Sequence, residues 1–109
     1  MTKKFDYIMD IGEQMLLSGA EVHRVEDSVT RMCCAIGVAR VDVFIITSSM
    51  VVTVHTNSGD TITQTRRVTS TANDFEKLHY LNNLSREICQ KNLTADEIKQ
   101  KLDSINDSK

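Results

Sequence analysis

The placement of threonine constrains this chain more than any other feature. Eight of the eleven threonines lie between Thr47 and Thr71, while both flanks carry apolar residues at helical spacing. β-Branched side chains suit a pleated surface and lose rotamer freedom in a helix. The chain is therefore expected to be helical, then strand-rich, then helical again. At 109 residues it is expected to form one domain over 1–109, burying about two-thirds of the surface its unfolded chain exposes.

Periodicity divides the thirds into elements. Phe5, Ile8, Met9, Gly12, Met15 and Leu16 predict a first helix from about Lys4 to Leu17. Ser18 stands three residues before Glu21, the spacing of a capping box, with Leu17 placed as its staple. A second helix then carries Val22, Val25, Val29, Met32, Cys33 and Ile36 on one stripe and stops at Gly37. Strands are expected over Arg40–Thr47, Met50–Thr56 and Thr61–Val68, with Phe44, Ile45 and Ile46 buried on both faces. Thr47-Ser48-Ser49 and Asn57-Ser58-Gly59-Asp60 are short enough to join them as an antiparallel meander. A third helix begins near Asn73, capped by Asn73 or Thr71, with Phe75, Leu78, Leu81, Leu84, Ser85, Ile88 and Cys89 as its apolar stripe. Thr94 and Glu97 form another capping-box pair before Ile98, Leu102 and Ile105. The fold class is α+β, ordered ααβββαα, a small three-stranded antiparallel sheet packed against helices on one face.

Charge and composition exclude several classes. Lys plus Arg total 13 against 15 Asp plus Glu, a formal net charge of −2, which argues against a nucleic-acid partner. The apolar run Val43 to Ile46 is far short of the ~20 residues that span a bilayer. The amino terminus lacks the apolar stretch of a secretory signal. Three cysteines, two of them adjacent, point to a reducing compartment, with Cys33 and Cys89 as small core hydrophobes. No phosphate-binding glycine loop, nucleophile elbow or zinc spacing is present, so neither a cofactor nor a metal is expected. His23 and Asp27 are four residues apart, and two ligands do not make a metal site.

The densest polar constellation is on the second helix: Glu21, Arg24, Asp27 and Arg31 at three- and four-residue spacing, with His23 and Glu26 beside them. Intrahelical pairing accounts for such a face, each pair contributing about 0.2–0.5 kcal/mol. Alternatively, Glu21 and Arg24 project together toward a ligand, a carboxylate and a guanidinium able to clamp an amino-acid zwitterion. A second constellation joins Thr47 and Ser48 at a strand end with Arg66 on a neighbouring strand. Arg66 and Arg67 point to opposite faces, so at most one addresses any given site. No catalytic residue is assigned, since a serine nucleophile needs a base in reach and the histidines are scattered.

The run Gly12-Glu13-x-Met15-Leu16-x-Ser18-Gly19-Ala20-Glu21-Val22-x-Arg24-Val25-Glu26-Asp27-Ser28-Val29 resembles the amino-terminal soluble region of the threonine/serine exporter family. Ile46-Thr47-Ser48-Ser49-Met50-Val51-Val52 corresponds to the family's strand-turn-strand segment. Asn73-x-Phe75-x-Lys77-Leu78 and Leu81-Asn82-x-Leu84-Ser85-Arg86 are similar to its later helical pattern. The likeness covers roughly Ile8 to Ile105. It implies a cytoplasmic domain that precedes a bundle of membrane helices in a transporter exporting threonine, serine or small dicarboxylates. The chain stops at Lys109 without a membrane segment, so a piece of a longer protein or one half of a split system is expected.

Three roles are compatible with that resemblance. In the favoured one the domain is an accessory or substrate-sensing unit at the cytoplasmic face of the membrane. It contacts the helix bundle of its own or a partner chain and binds the metabolite through Glu21, Arg24, Glu26, Thr47, Ser48 and Arg66. In the second it is an assembly module that forms a homo-oligomer through a strand edge or helix face. In the third, the least favoured, it is a small hydrolase using a carboxylate among Glu21, Glu26 and Asp27.

Overall fold

A computed structural model describes residues 2–46, 48–69 and 73–107. Its elements run α1 (Thr2–Leu17), α2 (Val22–Ala35), β1 (Arg40–Ile46), β2 (Ser49–His55), β3 (Thr61–Arg67), α3 (Phe75–Gln90) and α4 (Ala95–Asp107). The sheet has the order β1-β2-β3 and is antiparallel throughout. This is the ααβββαα arrangement, with strand limits within a residue of those expected. Among the described residues no helix is long and apolar enough to cross a membrane.

The core lies between the helices and one face of the sheet. Phe5, Ile8, Met9, Ile11 and Met15 of α1 are buried, as are Val25, Val29, Met32 and Cys33 of α2. Met50, Val52 and Val54 of β2 meet them from the sheet, and Leu81, Leu84 and Ile88 of α3 with Ile98 and Leu102 of α4 close the far side. The α1 and α2 backbones approach closely at Gly12. A Cβ there would lie 2.8 Å from Val29 Cγ2 and 3.2 Å from the Met50 sulfur.

The α1–α2 turn departs from the expected capping box. Gly19 takes φ +98°, its N–H donates to Leu16 O at 3.1 Å, and the Ala20 N–H reaches back to Met15 O at 3.0 Å. That pattern is a Schellman motif, so Ser18 closes α1 instead of opening α2. Ser18 is buried, and its carbonyl accepts from the Asp74 N–H at 3.0 Å. Glu21 occupies the N-cap of α2 without a capping hydrogen bond from its side chain. Gly37 repeats the glycine closure at the end of α2, with φ +96°, as its position after the last apolar residue predicts.

Helices cover only one face of the sheet, which corrects the burial on both faces expected of β1. Ile45 is buried, whereas Phe44 and Ile46 alternate outward and are 62% and 52% exposed. Val22 and Phe75 sit in the first turns of their helices, at the rim of the core, and are exposed. Cys89 is exposed, while Cys33 is buried. The cap of α3 is Asp74, whose carboxylate accepts from the Lys77 N–H at 3.0 Å, in place of Asn73; Thr71 lies outside the described residues. The Thr94–Glu97 capping box forms in both directions, at 2.9 and 3.1 Å.

Candidate functional site

The hydrophobic face of α2 sets the direction of its polar one. With Val25, Val29 and Met32 turned into the core, Arg24, Ser28 and Arg31 are carried along the flank that looks toward α3. On α3, burial of Leu81, Leu84 and Ile88 likewise leaves Asn82, Ser85 and Arg86 facing α2. Between them runs a polar groove of about 510 Å³. At its α1–α2 end it meets a second hollow of about 270 Å³, and Arg24 and Asn82 line both.

The two hollows differ in what their charges do. In the larger one, Arg31 is held by Asp27 at 2.9 Å, and Arg86 donates to Asn83 Oδ1 at 3.3 Å. The pKa of the exposed Cys89 thiol at its margin is pushed up, chiefly by partial desolvation against the groove, with Arg31 opposing. The smaller hollow is bordered by Glu21 and Arg24 over a floor of Met15, Ala20, Val25 and Leu78, with Phe75 and Asn82 on the opposite wall. Among the described residues neither Glu21 nor Arg24 has an ion-pair partner or a side-chain hydrogen bond. An unpaired carboxylate and an unpaired guanidinium, one helical turn apart, therefore frame an apolar-floored hollow.

The remaining candidates fall elsewhere. Glu26 is half-buried next to His23, 3.4 Å from its Nδ1, and its carbonyl accepts from Thr30 Oγ1 at 2.7 Å. Ser48 is exposed in the β1–β2 turn, where its carbonyl accepts from the Val68 N–H at 2.9 Å. Thr47 lies outside the described residues. Arg66 lines neither hollow and is bound instead to Asp10 and Glu13 of α1 at 2.5 and 3.0 Å. Burial works against its charge, but the hydrogen bonds it donates to these carboxylates, with their negative charge, outweigh it and raise the guanidinium pKa. The fold thus gathers Glu21 and Arg24 and disperses the other described candidates.

Asn82, Leu78 and Phe75 also line this hollow and are not among the site residues expected from the sequence. Their signal was available only as a second block of resemblance, since nothing in residue spacing joins α2 to α3. Among the described residues, no group of three or more His, Cys, Asp or Glu side chains stands together in a way that could hold a metal ion.

The model of a protein family described as "Putative threonine/serine exporter" matches residues 6–109 of the chain. No curated protein and no solved structure matches it.

Proposed function

The chain belongs to the threonine/serine exporter family, and from that premise we propose that it is the substrate-sensing domain of such a transporter. In this reading residues 1–109 form one unit at the cytoplasmic face, in contact with a bundle of membrane helices in the same or a partner chain. The ligand is threonine, serine or a small dicarboxylate, and it binds in the smaller hollow between α2 and α3.

The observation that carries this reading is the pair of unpaired charges on one hollow, Glu21 and Arg24. A guanidinium forks onto a carboxylate, and a carboxylate accepts from an ammonium group, so the pair is complementary to the backbone of an amino acid. Asn82 offers an amide to a side-chain hydroxyl, and Leu78 and Ala20 offer apolar surface to a methyl group. A dicarboxylate uses Arg24 and finds no partner in Glu21. The two charges thus discriminate between the family's two ligand classes.

Calorimetric titration of the chain with threonine, serine and succinate tests the reading. Threonine or serine is expected to bind, with the heat lost in Arg24→Ala and weakened about tenfold or more in Glu21→Gln, the scale of one charge-assisted hydrogen bond. Absence of heat with all three ligands overturns substrate sensing. Binding that survives Arg24→Ala moves the site out of this hollow.

A further inference from the structure

We propose that the outer edge of β1 pairs antiparallel with the β1 edge of a second copy of this chain. Two three-stranded sheets then join into one across a twofold axis at Val43. This inference rests on the sheet and does not depend on the α2–α3 hollow.

β1 ends the sheet, with β2 on one side only. The Val68 N–H donates to Ser48 O at 2.9 Å, so even-numbered residues of β2 turn their backbone groups to β3 and odd-numbered ones turn theirs to β1. By the β1–β2 register, Asp42, Phe44 and Ile46 face β2. The N–H and C=O groups of Val41, Val43 and Ile45 therefore point away from the sheet. Among the described residues no other backbone group bonds to them. Such a row is a template for another extended strand.

The other edge is guarded and this one is not. β3 carries Arg67 outward and turns Arg66 and Gln64 inward, where carboxylates of α1 hold them. Inward-pointing charge is among the usual devices that keep an edge strand from pairing. β1 has no lysine, no proline and no inward charge. Its two charged side chains, Arg40 and Asp42, are 3.4 Å apart and satisfy each other at one end. The other end presents Phe44 and Ile46, 62% and 52% exposed. On the inner face Val41 and Val43 are only half-buried, since nothing flanks them beyond the edge.

The second copy is the occupant because the edge is complementary to itself. The outward-facing residues Val41, Val43 and Ile45 are symmetric about Val43, as an isologous antiparallel contact requires. In that register Val41 faces Ile45 of the second copy and Val43 faces Val43, which matches every outward backbone group and extends the inner apolar row. On the outer face Asp42 lies opposite Phe44 and Arg40 opposite Ile46, so no like charges oppose. A shift in register leaves an outward group unmatched.

Sedimentation velocity of the chain over a wide concentration range tests this, with hydrogen exchange on the same samples. A reversible dimer is expected, in which the amides of Val41, Val43 and Ile45 gain protection as concentration rises. Val43→Pro removes the central outward N–H and leaves the β1–β2 bonds in place, and Phe44→Asp charges the outer face. Each is expected to weaken the dimer at least about tenfold. A strictly monomeric chain overturns the proposal. So does a dimer whose Val41, Val43 and Ile45 amides stay unprotected, which holds even if Val43→Pro fails to fold.

Discussion

Arg66 on β3 and Asp10 on α1 meet at 2.5 Å, tying the end of the sheet to the first helix across 56 residues of sequence. Glu13, one turn along α1, takes the same guanidinium nitrogen at 3.0 Å, and Gln64 reaches Asp6 one turn earlier. Two inward residues of β3 are thus clasped by three acids on successive turns of α1. β3 packs less apolar surface than β2, whose Met50, Val52 and Val54 are fully buried, so polar contacts bear more of its attachment.

Removing Arg66 leaves carboxylates facing each other without a counter-charge. Arg66→Ala is expected to lower stability by about 1–2 kcal/mol. That is below the range of about 3–5 kcal/mol for breaking a fully buried pair, because Arg66 keeps 24% of its side chain in water. Arg66→Lys recovers only part of the loss, since an ammonium lacks the second guanidinium nitrogen that donates to Gln64 Oε1 at 3.1 Å and to Asp6 O at 3.4 Å. Urea unfolding of the three proteins measures both effects.

Gly12 lies where α1 crosses α2, and alanine gains about 1 kcal/mol of helix propensity there. The added Cβ meets Val29 Cγ2 at 2.8 Å, and a β-branched side chain has little freedom to move aside. Overpacking costs about 1–3 kcal/mol, so Gly12→Ala is expected to lower the melting temperature, whereas an exposed helical glycine would raise it. Thermal denaturation decides the sign.

The Cys33 thiol is buried, and burial first, with Cys34 adding, pushes its pKa up to about 12 from 9.0. The thiolate is disfavoured in the fold, so the stabilisation it reflects is complete below pH 9 and lost as pH rises through about 12. Iodoacetamide at pH 8 is expected to spare Cys33 in the native chain and to label it after unfolding. Peptide mass mapping of both states shows which occurs.

Glu97 is fully exposed, yet its carboxyl is held below the ordinary value by hydrogen bonds from the Thr94 backbone and hydroxyl, with Lys101 adding. A depressed folded pKa means that the stabilisation is present above the unfolded pKa and is lost as pH falls through the folded one. α4 is expected to fray at its amino end on acidification, and Thr94→Ala to shift the Glu97 titration upward. Side-chain carbon shifts of Glu97, followed by NMR across pH, test both.

The elements were legible because local patterns agreed with the fold. Gly37 ends α2, Thr94 and Glu97 cap α4, and the three strands fall within a residue of the expected limits. The misreadings came where one pattern served two structures. Ser18 and Glu21 have the spacing of a capping box, but Gly19 can take positive φ, and a Schellman closure of α1 uses the same residues differently. Phe44 and Ile46 read as doubly buried because an apolar run does not say whether both faces of a sheet are covered.

The sequence alone determined the order and type of elements, the antiparallel meander and the family resemblance, because these depend on residues near one another along the chain. Only the tertiary structure decided which polar residues line a common hollow. Glu21 and Arg24 came with a spacing that places them on one turn, but Asn82, Leu78 and Phe75 joined them only when α3 packed beside α2. Arg66 went to Asp10 and Glu13 because β3 lies against α1. Contacts across tens of residues are set by how helices and sheet pack, and residue periodicity carries no record of that partner choice.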